Sequence, residues 1–566
     1  MDFNWYMLEY GKIDRGRLNK KIKIALLSGF TISGLKEVFE VKCAQIGVNA
    51  SVYEGGYNQY FQEILNEKSR FYEFDSDIAF ILIDNRTVLG EYLFFPYKDG
   101  QTKRKRFISK ITKDYITLVK TFLKNSTGKL VISNLNIPSY SPYGIAEEKT
   151  SYGLKDMTVE FNQRIKETFT KESRVFIYDF NSFVSRLGEN TVFDYKMYYL
   201  GDFRVSQKML PSLCEDLMGY VKPLLSLSKK CIVLDLDNTL WGGVVGEDGF
   251  EGIRLGPEPP GNAYVEFQKR LLALFQRGVI LAVNSRNNPE DALKVIREHP
   301  YMILREENFA SVRINWSDKV SNLRELADEI NIGLDSMVYL DDDPVNRELV
   351  RKMLPDVLVV DLPEDPSYYV NALMELNCFN IFHVTEDDKK RGLMYSQERR
   401  RLEAQSSFSD LKSFLKTLEI KVEIQKANSF SIPRISQLTL RTNQFNLTTK
   451  RYQEEKIREL TKSGDFLVYS ARVKDKFGDY GITGVVIITL KSKDEWEIDT
   501  FLLSCRVLGR GVEKTILSWI MEEAKKAKVK RLVGTYIPTQ KNPVCKDFYE
   551  DNGFKKINDR SYKYVF

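Results

Sequence analysis

The sequence predicts a multidomain α/β protein that ends in a β-rich domain, on three observations. Short apolar runs at 22–29, 77–84, 128–135 and 174–180 alternate with segments of helical spacing such as SGLKEVFEVKCAQIG, the pattern of parallel strands joined by helices. A second alternating set lies within 231–237, 278–287 and 336–344. From Glu419 the texture becomes strand-rich, with VEIQKA, FLVYSARV, YGITGVVIITL, EWEIDTFLLS and RLVGTYIP in succession. A chain of 566 residues is too long for one core and calls for about three or four domains.

In the first set, residues 1–225, the opening strand runs into SGFT, with Ser28 at its tip. This part resembles a degenerate SGNH hydrolase domain, an SGNH/flavodoxin-like three-layer fold. Such hydrolases need a serine, an aspartate and a histidine, and the chain has two histidines, His299 and His383, neither of them here. Ser28 therefore reads as a structural or ligand-binding remnant, and the domain as a scaffold or docking module.

The second set, residues 226–380, carries the most telling residues. CIVLDLDNTLWGGVVGEDG places Asp235 and Asp237 at the end of a buried-strand pattern. A carboxylate there can attack phosphorus, and one two residues on faces the same side of an extended chain and can shuttle a proton. The spacing also suits one Mg²⁺ held by oxygen ligands. GVILAVNSRN ends in Ser285, a hydroxyl for a phosphoryl oxygen. WSDKVSNLRELADEI opens a helix with Lys319 in its first turn, and SMVYLDDDP ends in Asp341, Asp342 and Asp343. Acid pair, hydroxyl, lysine and acid pair in this order resemble the four motifs of the haloacid dehalogenase (HAD) superfamily. The segment after Asp237 reads as a short glycine- and proline-rich loop before a helix near Asn262, which leaves no room for a cap. An open site of this kind suits a substrate carried on another protein.

Residues 381–418 read as a charged helical linker. In the last domain, 419–566, CRVLGRGVEKTILSWIMEEAKK runs strand, turn, helix, with Arg506, Gly509 and Gly511 as R-x-x-G-x-G at the turn. Glycines there let backbone N–H groups approach an anion at the helix start. The pattern resembles the pyrophosphate loop of GNAT acetyltransferases, which bind coenzyme A. RTNQFNLTTKRY offers Asn443, Gln444, Asn446, Thr448 and Thr449, amides and hydroxyls that either bind glyceryl hydroxyls or a pantetheine arm, or make turns and caps.

Together, KCIVLDLDNTLWGGVVGEDG, the Ser285 strand, RTNQFNLTTKRY and SCRVLGRGVE resemble the FkbH-like proteins: an uncapped HAD Rossmann-like domain fused to a GNAT-like α+β domain, here behind the SGNH-like region. The resemblance implies a glyceryl transferase that dephosphorylates 1,3-bisphosphoglycerate and loads glyceryl as a thioester on the phosphopantetheine of an acyl carrier protein for polyketide-type assembly. Asp235 would attack the 3-phosphate and Asp237 would act as acid and base. Ser285 and Lys319 would hold the phosphoryl group, while Asp341 and Asp342 would complete a Mg²⁺ shell with Asp235 and the Asp237 backbone carbonyl. Cys505, at the expected end of the strand before the R-x-x-G-x-G loop, is the expected glyceryl acceptor. Its rival Cys231 lies at the far end of the Asp235 strand and reads as core.

Two other readings compete: a Mg²⁺-dependent phosphatase with a non-catalytic GNAT-like domain, and an N-acetyltransferase or carrier-protein binding module. His383 reads as a surface or packing residue, with a role as a base as the alternative, and His299 as a partner of a helix C-terminus. Six scattered cysteines without CxxC argue against a disulfide frame or zinc site. A net charge of +6 is too small to imply nucleic acid. No signal-peptide pattern or membrane-length apolar run is present, so a cytoplasmic enzyme is expected. Basic runs at 103–106, 398–401 and 525–531 are candidate docking faces for an acidic carrier.

Overall fold

The computed structural model describes residues 1–395, 397, 417–476 and 478–566. Most of the expected linker, and the basic run at 398–401, lie outside the described residues. Within the linker, Glu386–Lys389 and residues 391–395 are helical. The chain divides into two compact units, Met1–Val221 and Lys222–Phe566.

The first unit is built on a parallel sheet of β1 (Lys20–Ser28), β2 (Val48–Glu54), β3 (Ile78–Leu82), β4 (Lys129–Ser133) and β5 (Val175–Tyr178), in the order β2-β1-β3-β4-β5. Its central strands are apolar along their length because helices cover both faces. Ser28 is buried at the end of β1, and its Oγ accepts from the Phe30 amide at 3.1 Å, so the hydroxyl shapes the turn. The basic run at 103–106 is partly spent on the fold: Arg104 is buried and donates to the carbonyls of Asp99, Ser151 and Tyr152, and Lys103 pairs with Asp99.

The second unit holds two sheets. The first is parallel, with β6 (Cys231–Leu234), β7 (Ile280–Ser285), β8 (Phe309–Ile314), β9 (Met337–Asp341) and β10 (Leu358–Asp361) in the order β10-β9-β6-β7-β8. Alternation sorts its side chains cleanly. Ile232, Leu234, Val338 and Leu340 pack into one core, and Cys231, Val233, Met337 and Tyr339 into the other, against Val320, Leu323, Leu326 and Ile330 of the Lys319–Ile330 helix. Cys231 is thus a core residue. The segment after Asp237 is not a plain loop: Val245–Gly252 is helical, with Gly249 breaking it at φ 72°, before the Gly261–Gln276 helix begins. Asp248 in that helix accepts from the Val244 amide at 2.8 Å, and the whole insertion is too short to form a cap.

The second sheet contains β11 (Lys421–Lys426), β12 (Phe445–Asn446), β13 (Phe466–Asp475), β14 (Gly478–Ser492), β15 (Glu495–Leu503), β16 (Arg531–Thr535), β17 (Lys555–Lys556) and β18 (Ser561–Val565). All its pairs are antiparallel except β15 with β16, which run parallel over 495–498 and 531–534. Beyond Ile498 the two strands part. Residues 445–447 fill the wedge: β12 pairs with Leu502 and Leu503, the Leu447 amide donates to Phe501 O at 3.1 Å, and the Ile537 amide donates to Leu447 O at 2.8 Å.

Candidate active site

Register brings the acids together. Leu234 pairs with Leu340, and the Asp235 amide donates to Leu340 O at 3.0 Å, so the next residues, Asp235 and Asp341, emerge side by side on the face covered by the Lys319–Ile330 helix. Asp318 caps that helix through the Ser321 amide and sets Lys319 in its first turn. Lys319, 1% exposed, reaches Asp235 Oδ1 at 2.9 Å, Asp341 Oδ2 at 3.0 Å and the Asn284 carbonyl at 2.8 Å. Asn284 returns a bond to the Lys319 carbonyl and accepts from Asn322, so the lysine is fixed by a closed amide network.

Asp235, Asp341 and Asp342 offer oxygens that all lie within 4.8 Å of one another. Three carboxylates so close repel, and burial adds to the cost of ionising them. Asp235 is lifted by burial, with Lys319 and a Ser285 hydrogen bond opposing and Asp341 adding to the rise. Asp342 is pushed up to about 7 by burial and then by Asp235 and Asp341. Asp341 is already held: Oδ1 accepts from the Asp343 amide at 2.9 Å, and Oδ2 from the Tyr339 hydroxyl. Asp235 Oδ1 pairs with Lys319 at 2.9 Å, and among the described residues this buried oxygen accepts no geometrically good hydrogen bond. Among the described residues the Asp342 carboxylate accepts only the 3.4 Å hydrogen bond from Thr239 Oγ1. Hard oxygen donors, crowded negative charge and incompletely satisfied lone pairs fit a small divalent cation such as Mg²⁺.

Asp237 stands just past β6, outside the strand that the spacing predicts for it. Its Oδ1 accepts from Trp241 Nε1 at 2.8 Å and the Val245 amide at 3.2 Å, and its Oδ2 from Asn287 Nδ2 at 2.8 Å. Burial raises its proton affinity, and these donors oppose the rise. Trp241 is fully buried, so the same ring that anchors the core also orients the acid. Asn287, Trp241, Tyr339 and Thr239 are site neighbours that motif reading passes over. The Tyr339 signal was present, since it precedes Asp341 by two residues and must share its face.

Cys505 does not end a strand. β15 stops at Leu503, and Cys505 opens a 3-10 turn, Cys505–Val507, where it is half-buried. Its Sγ lies 3.9 Å from the Tyr395 hydroxyl, and its carbonyl accepts from Asn331 Nδ2 at 3.2 Å. Asn331 caps the C-terminus of the Lys319–Ile330 helix, and Lys230 immediately precedes β6. The thiol therefore lies at the N-terminal edge of the parallel sheet, whereas Asp235, Asp237, Ser285, Lys319, Asp341 and Asp342 gather at its C-terminal edge.

Gly509 and Gly511 have φ 74° and 79° with open space where a Cβ would stand, and the Val512–Lys526 helix starts behind them. Arg506 turns away from this loop, its Nη1 2.6 Å from Met394 Sδ and its Nε 3.2 Å from Ser504 Oγ. Asn446 is fully buried in the wedge; its side chain donates to Thr442 O and accepts from the Thr449 amide. That corrects its expected ligand role, because both ends of its amide are already used by the fold. Asn443 is partly exposed and accepts from Arg451. His383 lies 3.6 Å from Glu454, away from both clusters, and His299 caps the Pro289–Glu298 helix as expected.

Residues 23–222 match the family model "FkbH, N-terminal domain". The structure of the N-terminal part of BF1531 from Bacteroides fragilis, described as containing a phosphatase domain complexed with Mg, is similar at 29% identity and a TM-score of 0.63. It covers 68% of this chain and 100% of that one. Rv2747 from Mycobacterium tuberculosis, in complex with CoA and NLQ, matches at 18% identity over 24% of this chain and 73% of that one, with a TM-score of 0.20. A GNAT-family acetyltransferase from Staphylococcus aureus Mu50 matches at 12% identity over 26% and 99%, with a TM-score of 0.21. No curated protein matches the sequence. Among the described residues, no helix is long and apolar enough to cross a membrane.

Proposed function

We propose that the chain, whose residues 23–222 match the FkbH N-terminal domain model, is an FkbH-like phosphatase and glyceryl transferase acting on 1,3-bisphosphoglycerate. The observation that carries the phosphatase half is the carboxylate cluster of Asp235, Asp341 and Asp342 closed by Lys319. The open, uncapped site and the phosphatase domain of the Bacteroides fragilis protein support the same reading.

In this reading Asp235 attacks the 3-phosphate. The P–O bond to the glyceryl oxygen breaks, and Asp237 gives that oxygen its proton. Water then attacks the aspartyl phosphate while Asp237 takes its proton, and phosphate leaves with Asp235 restored. Lys319 and Ser285 hold the phosphoryl oxygens. Asp235, Asp341, Asp342 and the Asp237 carbonyl would hold Mg²⁺, which when bound supplies positive charge against the phosphoryl oxygens.

The transferase half rests on Cys505 as acceptor. Its thiolate forms the S–C bond to the acyl carbon as the C–O bond to the 1-phosphate breaks. A carrier phosphopantetheine thiolate then takes the glyceryl group and releases the cysteine. Incubating the full chain with 1,3-bisphosphoglycerate and recording intact mass tests this: a glyceryl or phosphoglyceryl adduct absent from Cys505→Ala supports it, and no adduct contradicts it.

One observation favours the second reading, a phosphatase with a non-catalytic GNAT-like domain. The wedge between β15 and β16 is filled by residues 445–447, whose backbone takes the hydrogen bonds that an extended arm lying there would need. An arm reaching Cys505 would have to approach from outside the wedge. Phosphate release from phosphomonoesters without any adduct would select this reading.

A further inference from the structure

Asp341 and Asp342 are neighbours in sequence, yet both offer an oxygen to the cluster with Asp235. Along a regular strand successive side chains point to opposite faces, so the backbone has to turn for two adjacent carboxylates to meet. β9 ends at Asp341, the chain bends at Asp342, and the Pro344–Met353 helix begins two residues on. Arg347, one turn into that helix, reaches back across the bend: its Nη1 donates to Asp341 O at 2.8 Å and to Asp342 O at 2.6 Å. Its ion pair is looser. Arg347 Nε stands 3.6 Å from Asp361 Oδ1 and, among the described residues, makes no good hydrogen bond, while Asp361 is exposed and shared with Arg351 at 2.7 Å. The guanidinium is 12% exposed and is fixed chiefly by the two carbonyls.

These carbonyls belong to the two peptide planes that flank the Asp342 Cα, and between planar peptides the only soft torsions are φ and ψ of Asp342. Holding both oxygens on one nitrogen therefore fixes those torsions and, with them, the direction of the Asp342 side chain. Asp341 has the Tyr339 hydroxyl and the Asp343 amide to hold its carboxylate, whereas Asp342 has the 3.4 Å bond from Thr239 Oγ1. Resting on the reading that Asp235, Asp341 and Asp342 hold Mg²⁺ for phosphatase chemistry, we propose that Arg347 is a positioning residue for the cation site, clamping the bend that turns the Asp342 carboxylate to the point that Asp235 and Asp341 face. Arg347 acts through the backbone of the two acids and touches neither substrate nor cation.

Mg²⁺ titration calorimetry on the full chain at pH 8 tests this, with urea unfolding of the metal-free protein as the fold measurement. Arg347→Gln should weaken Mg²⁺ binding about 10- to 100-fold, and excess Mg²⁺ should restore most of the phosphate release. Arg347→Lys, a donor without the fixed fork, should lose about threefold. Asp361→Asn removes the ion pair and leaves the carbonyls clamped, so it should bind Mg²⁺ as the wild type does. Wild-type Mg²⁺ affinity in the folded Arg347 variants would overturn the inference, even where metal-free stability falls, and so would an equal loss of affinity in Asp361→Asn. A wild type that takes up no Mg²⁺ would overturn the metal reading and this inference together. Phosphate release that depends on Mg²⁺, with affinities unmoved in the Arg347 variants, would overturn this inference alone.

Discussion

Lys319 and Asn331 stand at opposite ends of one helix, Lys319 in ion pairs with Asp235 and Asp341, and Asn331 hydrogen-bonded to the Cys505 carbonyl. At 1.5 Å per residue the twelve-residue Lys319–Ile330 helix spans roughly 18 Å. In the proposed function an acyl group on Cys505 would therefore be remote from the aspartate that removes its phosphate, and the two chemistries should be separable by mutation.

Asp235→Asn and Asp237→Asn should abolish phosphate release while leaving the fold intact. Loss of the nucleophile should cost ~10⁴-fold or more, and loss of the acid about 10²- to 10⁴-fold. Release from 3-phosphoglycerate, with circular dichroism as the fold control, checks both. Near-normal release by either variant would refute its role.

Lys319→Met should destabilise strongly. It leaves Asp235 and Asp341 buried without their cation, a change that costs about 3–5 kcal/mol. Urea unfolding would measure the loss, and added Mg²⁺ should recover part of it by replacing the missing charge.

Magnesium affinity should rise with pH. Asp342, pushed up to about 7 by burial and by Asp235 and Asp341, is protonated in the metal-free protein below that value, and Mg²⁺ must displace the proton. Below about pH 7 the apparent affinity should fall roughly tenfold per unit. The sign for metal-free stability is the opposite: the folded protein holds a proton that the unfolded chain has lost, so stability declines as pH rises from about 4 towards 7. Titration calorimetry and melting curves at pH 6 and pH 8 check both signs.

Asn446→Ala should cost about 1–3 kcal/mol by orphaning Thr442 O and the Thr449 amide. Phosphate release should be unaffected, because the wedge belongs to the sheet of β11–β18 and the acids to the parallel sheet of β6–β10.

Much of the phosphatase site was legible because apolar runs fix strands and alternation fixes faces. Asp235, Ser285, Lys319, Asp341 and Asp342 converge from four segments whose ends the sequence marks. The strands of the last domain were equally plain. The wedge was not, since residues 445–447 bond to strands far away in sequence and their polar neighbours read equally well as ligands or caps. Nor was Tyr395, whose hydroxyl meets the Cys505 sulfur only once the turn at 505–507 is in place. The Val245–Gly252 helix was hidden by its glycines, which signal a loop.

The most direct measurement pairs two variants in two assays: phosphate release from 3-phosphoglycerate, which has no acyl phosphate for the thiol, and adduct formation with 1,3-bisphosphoglycerate by intact mass. Separate stations predict that Cys505→Ala keeps phosphate release and loses the adduct, while Asp235→Asn loses release and keeps the adduct. Loss of both activities in either variant, with the fold preserved, would contradict the account.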